Sequence, residues 1–155
     1  MSRLLRLISV LMLLFSAFGY AVGPASEKLL TANDVEQVTG IRGIKLVPRN
    51  PAIGAGGDLN FALPDNTIIL AVAIQDSSMY ERWKGEEGFF HAAVPGVADE
   101  AFNGPSFGEY RYILIFRKGK TAVSLSSFFN MKAEGEPYLN QEKLQALAKI
   151  MISRL

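Results

Sequence analysis

The sequence predicts an α+β domain in which an antiparallel sheet of about five to six strands carries helices packed on one face. Alternating apolar and polar residues, as in "TAVSLSS" at Thr121–Ser127, indicate strands. Capping residues and apolar stripes in "TANDVEQVTG" and "NQEKLQALAKIMISRL" indicate helices. Gathering the helices on one face of an antiparallel sheet is the simplest way to bury those stripes.

The first half of the predicted domain holds a helix, a strand and a hairpin. Thr31 is the predicted N-cap of the helix, with Asp34 three residues on and Gly40 at its end. "IRGIKLVP" follows as a strand that ends at Pro48. "LNFAL" and "TIILAVAIQD" indicate a hairpin, whose second arm, Thr67–Ile74, is apolar on both faces and is therefore expected to be the central strand.

The second half adds a short helix, a short strand, a hairpin and a terminal helix. Ser78 and Glu81 form a predicted capping box for a helix that ends near Gly85 or Gly88, and "FFHAAV" follows as a strand. In "EYRYILIFRKGKTAVSLSSFFN", Gly119 supplies the positive φ of a tight hairpin turn. The last helix has Asn140 as its N-cap and one apolar stripe. The stripe comprises Leu144, Leu147, Ala148, Met151 and Leu155.

Residues 1–21 have the layout of a signal peptide, and residues 22–155 form the single predicted domain. Arg3 and Arg6 make a basic start, and "LISVLMLLFSAFGYAV" adds 16 apolar or small residues. That run is shorter than the ~20 residues that cross a bilayer, which favours cleavage after Ala21 over retention as a membrane anchor. We therefore expect a periplasmic or secreted protein, which would touch a membrane only through an uncleaved leader.

The composition excludes several functional classes. The chain has no cysteine, which rules out disulfides, thiol catalysis and thiolate metal sites. Without Arg3 and Arg6 of the leader, 14 basic residues face 15 acidic ones, and this balance argues against binding to nucleic acid. Neither the acid spacing of a calcium loop nor the paired histidines of a zinc site occur, so no metal or other cofactor is expected.

Aromatic residues in the middle of the chain could line a pocket for a small apolar or sugar-like ligand. Tyr80 and Trp83 lie three residues apart and would share a helix face, and Phe90 and the single histidine, His91, follow them. The predicted ligand-binding set is therefore Tyr80, Trp83, Phe90 and His91. Packing in an ordinary core is the other interpretation of the same aromatic residues.

The segment "VPGVADEAFNGP" contains two adjacent acids between two proline and glycine corners. Pro95 and Gly96 fit the middle of a type II turn. Neighbouring side chains diverge, so at most one of Asp99 and Glu100 is expected to face a given site. Asp99 is instead predicted to cap a helical turn that carries Phe102 into the core.

The segments "VPGVADEAF", "ILIFRKGKTAVSLS" and "LQALAKIMISRL" together resemble small exported bacterial envelope domains of unknown function. Domains of this type occur in secreted lipoproteins and in the extracellular sensor parts of receptor kinases. The resemblance spans about Val94 to Leu155, and the chain departs from the lipoproteins in lacking the cysteine that bears the lipid. It implies an exported α+β domain and no particular activity.

Two functions remain open from the sequence. The first is an exported, non-enzymatic binding or accessory module of the envelope, which would hold a small apolar ligand or a partner protein. The missing catalytic motifs favour this function over an enzyme. The alternative is a small enzyme with a pocket around His91, whose ring Asp99 or Glu100 would orient. Open sheet edges would also permit self-association, and the oligomeric state is not predicted.

Overall fold

The computed structural model describes residues 26–48, 58–106, 110–130 and 137–155, so the predicted signal peptide lies outside the described residues. The described part of the chain contains three α-helices and seven strands, and a short 3₁₀ helix, Ser26–Lys28, precedes them. The α-helices are α1 (Ala32–Thr39), α2 (Ser78–Gly85) and α3 (Gln141–Ile152). The strands are β1 (Lys45–Val47), β2 (Leu59–Ala62), β3 (Ile68–Asp76), β4 (Ala92–Ala93), β5 (Glu100–Gly104), β6 (Tyr110–Lys118) and β7 (Thr121–Phe128).

The strands form one antiparallel sheet in the order β1-β2-β3-β7-β6-β5-β4. This confirms the α+β class and the antiparallel pairing, but the described sheet has more strands than the predicted five to six. β5 replaces the helical turn predicted after Asp99, and it carries Phe102 into the core as a strand residue. The middle strand of the sheet is β7. The segment predicted to be the central strand, Thr67–Ile74, forms β3, which lies next to β7.

One face of the sheet holds the main core beneath α1 and α3. Four residues of the predicted stripe on the last helix are fully buried there, namely Leu144, Leu147, Ala148 and Met151. Leu155 lies beyond the end of α3 and is 45% exposed, so its assignment to the stripe was wrong. Leu114 and Phe116 of β6 and Val123 and Leu125 of β7 supply the sheet side of the same core.

The opposite face of the sheet carries α2, which corrects the prediction that all helices pack on one face. Side chains alternate along a strand, so Ile113 and Ile115 point away from the face that holds Leu114 and Phe116. Ile113 and Ile115 form a separate buried cluster with Tyr80 of α2. The run Ile113–Phe116 is apolar on both faces, and a strand of that kind needs cover on both sides.

The predicted capping box at the start of α1 is present and is joined to the end of α3. The hydroxyl of Thr31 accepts the Asp34 N–H at 3.2 Å, and the Asp34 carboxylate accepts the Thr31 N–H at 2.8 Å. The guanidinium of Arg154 donates two further hydrogen bonds to this carboxylate, at 2.6 and 2.8 Å. These bonds, those of Arg154 above all, hold the pKa of Asp34 well below its usual range.

Two predicted boundaries differ from the structure for local reasons. β1 begins at Lys45 and not at Ile41, because the backbone N–H groups of Gly43 and Ile44 donate to the Glu36 carboxylate, at 2.6 and 3.0 Å. The predicted capping box at Ser78 is wrong: Ser77 holds the N-cap position and makes no side-chain capping bond. The carboxylate of Asp76 accepts the Ser78 N–H at 2.9 Å instead.

The predicted hairpin of β6 and β7 is present, with Lys118 opposite Thr121 and a φ of 55° at Gly119. The two outer strands, β1 and β4, are three and two residues long. Pro48 directly follows β1, and Pro95 lies two residues after β4. Short edge strands with nearby prolines hinder the addition of another strand, so the geometry does not favour self-association through a sheet edge.

Candidate functional site

The segment between β4 and β5 forms a fixed wall at one edge of the sheet. Gly96 has a φ of 77°, as the predicted type II turn requires at its third residue. Val94 and Val97 are buried, and the Val94 N–H donates to the Ala101 carbonyl at 2.9 Å. Ala98 has a φ of 54°, an uncommon conformation for a residue other than glycine. The chain therefore folds back tightly before it enters β5.

Asp99 holds this wall to the β6 and β7 hairpin. One carboxylate oxygen accepts the Gly119 N–H at 2.7 Å, and the other accepts from the Lys118 ammonium at 3.1 Å. The bond from Gly119 is the main cause, and that from Lys118 the second, of a lowered pKa at Asp99. Asp99 thus shapes the loop, as expected, but it caps a hairpin turn and not the predicted helical turn.

Glu100 has different partners, as the divergence of adjacent side chains predicts. Its carboxylate lies 3.2 Å from the Lys84 ammonium of α2 and 3.5 Å from the Arg117 guanidinium of β6. The hydrogen bond from Lys84 is the main cause of a lowered pKa at Glu100. Burial, followed by the charge of Glu100, raises the pKa of Tyr80 to about 12. The Tyr80 hydroxyl therefore stays protonated at neutral pH.

A cavity of about 330 Å³ lies between α2 and the chain that runs from the end of β4 to the start of β5. Its lining is mainly apolar, with Lys84, Asp99 and Glu100 as the charged members. The lining residues from α2 and the segment before β4 are Tyr80, Lys84 and Phe90; the others are Ala93, Val94, Pro95, Gly96, Val97, Ala98, Asp99, Glu100 and Ala101. The ring of Phe90 is 42% exposed, which leaves an aromatic surface open to solvent beside the cavity.

The four predicted ligand-binding residues fall into two pairs. Tyr80 and Phe90 line the cavity, and both pack near Phe102, with ring centroids 5.3 Å away in each case. Trp83 is half-buried against the cluster of Tyr80, Ile113 and Ile115 described above, which we call the α2 cluster. His91 is exposed, and its backbone N–H donates to the Asn103 carbonyl at 2.9 Å. Neither Trp83 nor His91 is among the described lining residues.

Most of the lining residues lie outside the predicted ligand-binding set, and Lys84 and Val97 illustrate why. Lys84 lies four residues after Tyr80, so helical spacing alone places both on one face of α2. Val97 is buried at the cavity wall, and its role depends on the fold of the Pro95 turn, which brings it back toward β5. Only the signal for Lys84 could have been found without the structure.

Comparison with known proteins adds no relative: the chain matches no protein-family model, no curated protein and no solved structure at a significant level. Among the described residues, no helix has the length and apolar character needed to span a membrane. Within the same ranges, no group of three or more His, Asp or Glu side chains is arranged to hold a metal ion.

Proposed function

We propose that the protein is an exported, non-enzymatic binding module of the bacterial envelope that holds a small ligand with an apolar body. The observation that carries the proposal is the cavity beside α2, with the exposed ring of Phe90 next to it. Its volume of about 330 Å³ is near the lower end of the range for small-molecule sites, roughly 300–1,000 Å³. Export rests on the signal-peptide pattern of residues 1–21.

The apolar surface at the cavity provides the driving force for binding. Phe90 is one of the few large apolar side chains in the described residues that are substantially exposed. A ligand that covers this ring and the adjoining exposed surfaces of Ala93 and Pro95 removes apolar area from water, which is favourable. We therefore expect affinity to follow the size and shape of the apolar part of the ligand.

The wall of the cavity is ordered before any ligand enters. Hydrogen bonds from the backbone N–H groups of Val94 and Asp99 join it to β5 and β6, at 2.9 and 3.0 Å. The carboxylate of Asp99 adds the bond to the hairpin turn at Gly119. A preformed wall lowers the entropic cost of binding, because little of the chain must be ordered when the ligand arrives.

The arrangement favours binding over the alternative of an enzyme centred on His91. A catalytic histidine needs a group that orients its ring and a substrate site within reach. Asp99 contacts Lys118 and Gly119. Glu100 contacts Lys84, Arg117 and Tyr80. His91 is exposed beside the cavity wall, so the proposal assigns no catalytic role to it.

Replacing Phe90 with alanine should weaken binding of the neutral fluorescent probe N-phenyl-1-naphthylamine about tenfold, because the ligand loses an aromatic contact surface. Titration of probe fluorescence with the purified domain gives the dissociation constant. The fold should survive the change, since the ring of Phe90 is 42% exposed in the free protein. Circular dichroism and denaturant unfolding check that point.

Leu46→Ala is the matched control for this experiment. Leu46 is another large apolar side chain, is 37% exposed and lies on β1 at the opposite edge of the sheet. We expect its replacement to leave probe affinity within about twofold of the original, as for surface changes remote from a site. Equal losses in Phe90→Ala and Leu46→Ala, or no saturable binding to the unaltered protein, would contradict the proposal.

A further inference from the structure

Three charged side chains and Tyr80 form a cluster at the wall of the cavity, which we call the Glu100 cluster (Tyr80, Lys84, Glu100 and Arg117). Glu100 is directly opposite Arg117 on neighbouring strands. Its carboxylate is shared between the Lys84 ammonium, at 3.2 Å, and the Arg117 guanidinium, at 3.5 Å. Both cations also lie over the ring of Tyr80, at 5.9 and 5.8 Å from its centroid.

The hydrogen bonding of Arg117 is incomplete in this arrangement. Its Nε atom is buried and has no hydrogen-bond partner in the part of the chain that the structure describes. The 3.5 Å contact from its Nη2 atom to Glu100 is longer than the 2.7–2.9 Å or so of a strong charge-assisted hydrogen bond. Buried donors without an acceptor are costly, so a second arrangement that gives Nε of Arg117 an acceptor would offset part of the cost of moving Glu100 away from Lys84.

The second arrangement requires only a short movement of the Glu100 carboxylate. Residues directly opposite on antiparallel strands have Cβ atoms about 4.5–5.5 Å apart, within reach of a side-by-side pair of carboxylate and guanidinium. In such a pair, the two oxygens of Glu100 accept from Nε and Nη2 of Arg117. The ammonium of Lys84, which lines the cavity, is then free to hold another anion.

The charges around the cavity favour an anion as that ligand group. The charged residues of the lining are Lys84, Asp99 and Glu100. Asp99 is paired with Lys118, and after the exchange Glu100 is paired with Arg117, so the positive charge of Lys84 is the one left without a partner. Both oxygens of Asp99 are occupied, one by Lys118 and one by the Gly119 N–H. The hydroxyl of Tyr80 donates to the Glu100 carboxylate, so the movement of Glu100 would release it, together with Lys84, as a second donor at the same wall.

From this geometry we infer that the ligand is an amphipathic anion, whose charged group pairs with Lys84 while Glu100 moves onto Arg117. The apolar body of the ligand lies against Phe90, Val97 and the Pro95 turn. The inference rests on the proposed function, since it names the chemical class that the same cavity takes. Small carboxylates and sulfonates with an aromatic or aliphatic body belong to this class.

A matched pair of probes tests the inference separately from the proposed function. N-phenyl-1-naphthylamine and 8-anilinonaphthalene-1-sulfonate share an aromatic body, and only the second carries an anionic group. Lys84→Gln should weaken sulfonate binding about tenfold, as expected for the loss of one charge-assisted hydrogen bond, and should change binding of the neutral probe less than twofold. Both titrations use the full mature domain at low salt, where surface charges are least screened.

Lys118→Gln is the control for general attraction between the probe and a positive surface. Lys118 is 45% exposed and lies 3.1 Å from Asp99, whereas Lys84 is 43% exposed and lies 3.2 Å from Glu100. Only Lys84 lines the cavity among these two lysines. Equal loss of sulfonate binding in Lys84→Gln and Lys118→Gln, or equal change for both probes in Lys84→Gln, overturns the inference.

The side chain of Arg117 gives an independent readout of the exchange. The ¹H–¹⁵N signal of its Nε–H group should move downfield when the sulfonate probe binds, because the group gains Glu100 as an acceptor, and should not move with the neutral probe. An unchanged Arg117 signal with bound sulfonate overturns the exchange. If the unaltered protein binds neither probe, the proposed function fails; if it binds only the neutral probe, the inference alone fails.

Discussion

Replacing Phe102 with alanine should lower the free energy of unfolding by about 4 kcal/mol. Phe102 is fully buried on β5, and its ring centroid lies 5.3 Å from that of Tyr80 and 5.3 Å from that of Phe90. The change removes most of a buried aromatic side chain and leaves a cavity between α2 and the sheet, which only partial relaxation would fill. Urea unfolding followed through the single tryptophan, Trp83, measures the loss beside the site of change.

Phe102→Leu is the control that separates the loss of packed volume from the loss of apolar character at this position. Leucine keeps much of the volume and all of the apolar character, so we expect a loss of about 1.5 kcal/mol or less. A loss below about 1 kcal/mol in Phe102→Ala would show that the α2 side of the sheet is not a packed core.

Replacing Asp34 with alanine should lower the free energy of unfolding by about 2 to 3 kcal/mol at pH 7. The carboxylate accepts the Thr31 N–H and two N–H groups of Arg154, and it is almost fully buried. Its removal leaves the start of α1 without its capping box and leaves the guanidinium of Arg154 with the Leu29 carbonyl, at 3.2 Å, in place of the carboxylate. Urea unfolding at pH 7 gives the magnitude, and Glu142→Ala, an exposed acid in the first turn of α3, should cost less than about 0.5 kcal/mol.

The effect of Asp34 should depend on pH in a defined direction. The pKa of this carboxyl is lowered in the folded state, so its contribution is complete above the unfolded pKa, about 3.9, and is lost as the pH falls toward the folded value. The difference in stability between the unaltered protein and Asp34→Ala should therefore narrow by about 1 kcal/mol between pH 6 and pH 3. A constant difference over that range would contradict the assigned role of the Arg154 pair.

Elements with complete local signals were predictable from the sequence. α1 has Thr31, Asp34 and Gly40 at its ends, and all three act as their residue types suggest. The β6 and β7 hairpin has alternating residues and Gly119 at its turn. In these cases the local conformation and the tertiary fold favour the same residues, so a short stretch of sequence is enough to predict the element.

Elements decided by distant contacts were not predictable. β5 has the short sequence "EAFNG", with no alternation long enough to indicate a strand, and it forms because β6 offers a partner edge. The face on which α2 packs depends on the path of the chain over the sheet, which short windows do not contain. Cover on the second face was not expected, although the run Ile113–Phe116 of β6 is apolar on both faces.

The candidate site was half predictable for the same reason. The aromatic cluster directed attention to Tyr80 and Phe90, which line the cavity, and their part in ligand binding stays a prediction. Trp83 packs inward with the α2 cluster, as the core interpretation of the aromatic residues allowed. The pairing of Glu100 with both Lys84 and Arg117 joins residues from α2, β5 and β6, so it is visible only in the fold.

The most direct test of the account is to map where the neutral probe binds by nuclear magnetic resonance. Backbone amide signals of the ¹⁵N-labelled domain are recorded as N-phenyl-1-naphthylamine is added. We expect the largest shift changes at the cavity wall, in Ala93, Val94 and residues 96–101, with further changes at Tyr80, Lys84 and Phe90. Changes confined to other parts of the sheet, or none at saturating probe, would contradict the claim that this cavity is a ligand site.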